Sequence, residues 1–350
     1  GVRLFVPGFT NWSPNNLTLS NCVVTFGPAG FQLAVSNAIL IATNAGLGLN
    51  IPNGELNCGS LTLTNNGSLR IYSGPTNTTF PDYGALVSVT GDVAIGPNSW
   101  IFPNSDPTNG GSILFRMHNL TIAANGGFDA NHRGFASENG TGAGQQGSSY
   151  GSGAGYGGKG GNRSTYDGGA AYGSSNAPSD PGSGGGRSFN SLMTGGVGGG
   201  LIRIQAAGDM TLNGILTANG GGGFSPIAGR CGGGGSGGGI FITCARFTGD
   251  TNGLMLANGA SQAAGGAGGG GGGRIAVWEG VPPAQMNQYL AGQPVPDILL
   301  APTNAGFWGT AMTTNGMGYT NIPPDGAETG TVWFFTWSDQ PHGGTMFNFQ

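Results

Sequence analysis

The stretch "GGGLIRIQAAGDMTLNGILTANGG", residues 198–221, decides the fold once it is set against "GGGIFITCARFTGDTNGLMLANGA", residues 237–260. At an offset of 39 residues Leu201 meets Ile240, and the match runs without a gap through Asn213 and Asn252, Ala218 and Ala257, Asn219 and Asn258. A third copy, "GGSILFRMHNLTIAANGGFDANHRG" at residues 110–134, aligns at an offset of 88, placing Ile113, Asn125, Ala130 and Asn131 on Leu201, Asn213, Ala218 and Asn219. The unit is Gly-Gly-x, an apolar strand, then N-G-x-x-x-A-N. Its length is constant while the connection to the next copy varies, which describes the rungs and loops of a solenoid.

Within a rung the apolar runs (201–206, 210–212, 215–218) are short and broken by Gly or Asn-Gly. They read as strands turning corners, because a helix needs about ten uninterrupted periodic residues. Upstream, "NLTLSNCVVTF", "SLTLTNNGSLRI" and "VSVTGDVAI" repeat the same grammar more loosely. The expected fold is all-β: a right-handed parallel β-helix over residues 1–280, with Gly-rich loop insertions. The long insert 132–200 reads either as a mobile loop or as a polyglycine-like layer over the solenoid. Residues 281–296 carry prolines and read as a linker. Residues 297–350 form a small C-terminal, aromatic-rich β segment containing "TVWFFTW".

Composition bounds the function. The chain has 350 residues, with 76 glycines and 20 prolines, yet 37% are hydrophobic and only 7% charged. Disorder usually pairs low hydrophobicity with high charge, so a folded chain with glycine-rich parts is expected. Net charge is −4, and the eleven basic residues are scattered, which argues against nucleic acid as a partner. No apolar run approaches the roughly 20 residues of a membrane span. The chain begins at Gly1 rather than Met, which fits removal of a leader, and low charge with abundant Asn, Thr, Ser and Gly fits an extracellular or cell-surface location. Disulfides Cys231–Cys244 and Cys22–Cys58 are expected, buried free thiols being the alternative.

Glycine runs end at the same rung position each time ("GGVGGGLI", "GGSGGGIF", "GGGGGGRI"). Laid side by side, "TANGGGG … GGGGSGGGIFI" and "LANGAS … GGGGGGRIAVW" give residues 113–280 a pattern that resembles glycine-rich, parallel β-helical surface proteins of bacteria. The resemblance implies secretion and a structural or adhesive role, and it carries no catalytic residue across.

No motif names a chemistry. The chain has no G-x-x-x-x-G-K-[ST], no acidic residue in its long glycine runs to bind calcium in the manner of a β-roll, and no G-x-S-x-G. No cofactor is expected, and isolated hard-ion sites near Asp250 stay open. Glycoside hydrolysis needs two carboxyl groups at a set separation, whereas Asp129 alone places an acid in a rung's last strand. His118, His132 and His342 stand alone. The repeated asparagines are expected to form two corner ladders, Asn125–Asn213–Asn252 and Asn131–Asn219–Asn258. Tyr150, Tyr156, Tyr166 and Tyr172 in the insert are candidates for stacking on sugars or for pinning the insert down. Seven sequons (Asn11, Asn16, Asn66, Asn77, Asn119, Asn139, Asn162) permit glycosylation.

The function expected from the sequence is a non-enzymatic structural subunit of an extracellular filament or surface fibre. Copies of the chain would add head to tail, with Trp333, Phe334, Phe335 and Trp337 packing on a neighbour by strand addition. The alternatives are a secreted carbohydrate-binding adhesin, with surface glycans as partner, and a polysaccharide-processing β-helix enzyme.

Overall fold

The structure, a computed structural model, describes residues 8–338 apart from 28–29, 80, 164, 190–192, 225–229, 263–265 and 319–325. His342, the opening residues 1–7 and the segment 339–350 lie outside the described residues. The chain winds through nine coils. The first three are β1 (Asn11–Trp12), β2 (Leu17–Ser20) and β3 (Val23–Phe26); β4 (Gln32–Ala42) and β5 (Gly46–Asn50); β6 (Glu55–Leu63) and β7 (Ser68–Tyr72). Next come β8 (Ala85–Val89), β9 (Val93–Ile95) and β10 (Trp100–Asn104), then β11 (Ile113–Met117), β12 (Leu120–Ile122) and β13 (Gly127–Asp129). The two coils of the 39-residue match are β14 (Leu201–Ala206), β15 (Asp209–Leu212) and β16 (Ile215–Thr217), and β17 (Gly239–Cys244), β18 (Arg246–Thr248) and β19 (Leu254–Leu256). The last coils use β20 (Arg274–Glu279), α1 (Pro283–Leu290), β21 (Ile298–Ala301), β22 (Thr310–Met312) and β23 (Thr331–Trp337).

Apart from β21, the strands pair in parallel with their counterparts in neighbouring coils, which stacks three faces. The first face runs β1-β4-β6-β8-β11-β14-β17-β20-β23, the second β2-β4-β6-β9-β12-β15-β18, and the third β3-β5-β7-β10-β13-β16-β19-β22. Strands β4 and β6 are long enough to bend across the first two faces. The interior is apolar. Along the first face Val87, Phe115, Ile204, Ile242, Val277 and Phe334 are in register and buried.

The repeat set the coils but slipped on the first face. Leu201 pairs with Gly239, and Ile202 with Ile240, so the offset there is one short of the 39 seen in the sequence. On the third face Ile215 pairs with Leu254, at the full offset. The reason is side-chain alternation. Ile202 and Ile204 face the interior, as do Ile240 and Ile242, and a one-residue slip would turn every side chain of the strand to the other side.

The glycine-rich excursions leave the corner between the third and first faces, and they pack. The run 232–238 donates N–H bonds from Gly233, Gly234 and Gly235 to Gly186, Gly268 and Gly221, then from Ser236, Gly237 and Gly238 to Ser183, Gly271 and Ala218. Its carbonyls accept from Gly196, Ala154 and Ala260 in turn. Successive residues therefore point in three directions, the signature of a helix with three residues per turn, and one run is bonded to six neighbours. At most positions of the bundle only glycine fits. A Cβ on Gly233 would lie 1.8 Å from the Ser152 carbonyl, and one on Gly196 1.7 Å from that of Gly221. The insert 132–200 supplies runs 142–144, 151–161, 182–186 and 195–200 to this bundle, so over its described residues the layer alternative describes it.

The segment 281–296 contains α1, whose Pro282 and Pro283 suit a helix start. Outside the first face a second apolar cluster gathers Phe241, Ala276, Trp278, Val295, Ile298 and Phe335, with Met286 and Tyr289 of the helix packed on it. Trp278 stacks on Phe335 at 4.0 Å. Beyond it, β21 pairs antiparallel with β23.

All four cysteines are free, which corrects the expected bridges. Between Cys231 and Cys244 the chain runs through the extended glycine stretch and then β17, about 30–40 Å of contour, whereas a disulfide needs Cα atoms within about 7 Å. Cys22 is exposed at the corner before β3, and Cys58 is buried on the first face between Val35 and Val89. Burial pushes the Cys58 thiol up to about 12.

Candidate functional site

The outer surface of the third face carries the candidate site, a shallow open depression. Alternation along its strands turns Leu69, Ile71, Ile101, Phe128 and Leu216 inward and their neighbours outward. One outward row reads Ser68, Trp100, Gly127, Ile215, Leu254. Trp100 and Ile215 flank Gly127, whose missing side chain leaves room for the Ile215 backbone carbonyl. A depression of about 420 Å³ on this face is lined by Trp100, Phe102, Asp129, Asn131, Ile215, Thr217, Asn219 and Leu256.

An amide rail borders it where the third face gives way to the glycine bundle. The Asn131 Oδ1 accepts from the Asn219 N–H at 2.7 Å, the Asn219 Oδ1 from the Asn258 N–H at 2.7 Å, and the Asn258 Oδ1 from the Thr314 N–H at 2.8 Å. Thr217 ties the rail to the floor, its hydroxyl donating to Asn131 Oδ1 and accepting from Asn219 Nδ2. A rail of this kind fixes coil register and leaves an ordered row of polar groups beside the aromatic wall.

The other asparagine series behaves differently. Asn125 adopts a left-handed φ of 63°, whereas Asn213 and Asn252 do not; the left-handed corner is instead shared with Asn21, Asn44, Asn65 and Asn98 of earlier coils. Asn213 Oδ1 accepts from the Asp250 N–H at 2.9 Å, and Asn252 donates to Asp250 Oδ1 at 2.8 Å, so Asp250 serves a turn. In place of the expected Asn125–Asn213–Asn252 ladder, a left-handed corner runs through the earlier coils as far as Asn125, and a turn built on Asp250 follows in the later ones.

Charge gathers at one end of the depression. Phe102 is approached by two guanidinium groups, Arg70 and Arg133, each 5.0 Å from the ring centroid. Arg133 is anchored: Nε donates to the Asp129 carbonyl at 2.9 Å and Nη1 to Asn104 Oδ1 at 3.0 Å. Burial lowers its pKa, Asp129 raises it and Arg70 lowers it again. Its ion pair with Asp129 Oδ2 is long, 4.0 Å, while Asp129 Oδ1 accepts from the Asn131 N–H at 2.9 Å.

Of the tyrosines of the insert, Tyr156 is buried and Tyr150, Tyr166 and Tyr172 are half-buried. Tyr156 is fully buried and packs on Tyr172 at 4.8 Å, while Tyr172 donates to the Pro181 carbonyl at 2.7 Å. Arg163 lies over Tyr150 at 4.5 Å, and Tyr166 pairs through its backbone with Arg163. These residues pin the glycine runs together. His118 and His132 are exposed at corners, His132 with a left-handed φ of 56°. Among the described residues no group of three or more His, Cys, Asp or Glu could hold a metal, and no helix is long and apolar enough to cross a membrane.

Phe334 and Phe335 are buried in this same chain, Phe334 inside the solenoid near Phe247 and Phe307, while Trp333 and Trp337 pack half-buried on the outer cluster. Asn11, Asn16, Asn66 and Asn77 are exposed. Asn119, Asn139 and Asn162 are half-buried and hydrogen-bonded to Asp92, the Ser137 carbonyl and the Gly168 N–H. Sequence reasoning did not find Arg70, Trp100, Phe102 or Arg133, because the upstream coils match the repeat too loosely to show which residues share an outward row. Comparison with protein-family models, curated proteins and solved structures finds no match for the chain.

Proposed function

We propose that the chain is a non-enzymatic, extracellular glycan-binding surface protein. On this reading it is a right-handed parallel β-helix, the hand that parallel crossovers favour, stiffened by its glycine bundle. The observation that carries the reading is the third-face depression, where an indole wall at Trp100, an apolar wall at Ile215 and an amide rail lie side by side. Sugar rings present C–H faces to aromatic surfaces and hydroxyls to amides, and ligand sites combine apolar walls with a few placed polar groups. Asp129 is the single carboxylate among the lining residues, which supports binding over hydrolysis by a carboxylate pair.

Affinity electrophoresis through gels containing a panel of polysaccharides tests this. Retardation in at least one gel, lost in Trp100→Ala without a change in melting temperature, is the expected result. An unretarded wild type, or release of new reducing ends, defeats the reading.

Head-to-tail assembly is the second reading, and one observation favours it. Among the described residues β1, β2 and β3 each pair on one side only, and an open edge invites strand addition. The aromatic strand β23 is not the free donor, being already paired with β20 and β21. Light scattering that shows concentration-dependent polymers supports this reading, and a monomer at high concentration removes it.

A further inference from the structure

Resting on the glycan-binding reading, we propose that the third-face depression selects acidic glycans, with a uronate carboxylate held by Arg70 and Arg133 while its ring lies toward Trp100. The geometry is a prepared anion site. Two of the chain's eleven basic residues converge on one phenyl ring, each 5.0 Å from its centroid. A guanidinium stacked on an aromatic face keeps its in-plane donors pointing outward, where they match the two oxygens of a carboxylate.

Charge accounting within the site favours an anion. Arg70 has no carboxylate within 4.0 Å among the described residues, and Arg133 has only the long contact to Asp129. Two cations therefore face one carboxylate, in a chain whose net charge is −4. Arg133 is also held in place before any ligand arrives, by the Asp129 carbonyl and Asn104, so little side-chain entropy remains to be lost on binding. The adjoining surface is suited to a sugar rather than a bare anion: Trp100 stands on the same strand as Phe102, Asn131 follows the next strand, and Ile215 and Asn219 belong to the one beyond it.

Titration calorimetry with tetrasaccharides of galacturonate, glucuronate and mannuronate, each beside its methyl ester, tests the assignment. The ester keeps the backbone and removes the charge. At least one acid is expected to bind tenfold or more tighter than its ester, with the preference weakening as salt is raised. Arg70→Gln, at an exposed residue without a hydrogen bond among the described residues, should lose at least fivefold toward the acid and less toward the ester, so that the acid-to-ester preference shrinks. Arg133→Gln should do the same, its melting curve checking the fold. Acid and ester bound alike overturn the acidic preference and leave glycan binding standing; no binding of either form overturns both.

Discussion

In the solenoid, backbone groups pair coil to coil within each face, and apolar side chains fill the space the faces enclose. In the glycine bundle, backbone groups pair with neighbours on every side, and the side chains that would fill space are absent. The solenoid gains from burial, at roughly 25 cal/mol per Å² of apolar surface. The bundle must gain from hydrogen bonds worth about 1 kcal/mol each net, against the large conformational entropy that glycine loses on ordering. The two regions therefore respond to opposite injuries. The solenoid is vulnerable to lost volume, and the bundle to added volume.

The largest effect is expected from emptying the solenoid. Phe115 is buried, stands between Val87 and Ile204, and meets Phe128 edge-on at 5.1 Å. Phe115→Ala should cost about 3–5 kcal/mol, read from urea unfolding, while amide exchange inside the bundle at native conditions stays slow. A cost below about 1 kcal/mol would mean that the coils do not share a common core.

Adding a single methyl to the bundle comes next. Gly233→Ala places a Cβ against the Ser152 carbonyl, a backbone atom that cannot rotate aside. Overpacking of this kind costs about 1–3 kcal/mol or more. Hydrogen exchange should localise the damage to runs 151–154, 183–186 and 232–238 while β14 and β17 keep their protection. Damage spread evenly through both regions would show that they unfold as one cooperative unit.

Alkali separates the regions by chemistry. Burial lifts Cys58 from 9.0 to about 12, and Cys244 is raised by burial and then by Glu279 and Asp209. A thiol that keeps its proton only in the native state contributes stability that is complete below its unfolded pKa and lost as pH climbs toward the folded one. Stability should accordingly fall between about pH 9 and 12, by about 1.4 kcal/mol per pH unit for each such thiol. Cys58→Ala should flatten that slope, and Cys22→Ala, at an exposed site, should not. Burial also raises Tyr156 and Tyr172 at the bundle, so the tyrosine ultraviolet transition should lag behind free tyrosine. An unchanged slope in Cys58→Ala removes the thiol explanation.

The same contrast explains what the sequence could and could not disclose. Strands, corners and elastic connections were readable from "LIRIQAAGDMTLNG" and its copies, because alternation and Asn-Gly turns are local. The register of Leu201 was misread because a matching tripeptide of glycines outweighed the Ile-x-Ile alternation that fixes the inward face. The bundle was legible only as one of two alternatives: glycine has no side chain to show a pattern, and its partners are distant in sequence, as with Gly234 and Gly268. The site stayed hidden for a related reason. Arg70, Phe102 and Arg133 belong to three coils of unequal length, and only folding makes them neighbours.

The smallest effect probes the seam between the two regions. The Asn131–Asn219–Asn258 rail lies where each third-face strand ends and its glycine run begins, and it belongs to both. Asn219→Ala takes away the acceptor of the Asn258 N–H and the donor to Thr217 Oγ1. The site is part-buried, so water can replace some of what is lost, and a cost of about 1 kcal/mol is expected. Asn219→Asp keeps an oxygen for Asn258 but loses the donor to Thr217, and should recover part of that cost. If the rail couples the regions, exchange in the run 220–223 should quicken in Asn219→Ala by more than exchange in β16, although the substitution is the same distance along the chain from both. Equal quickening on the two sides would show that the asparagines serve only the strand ends and that the bundle is held by its glycines alone.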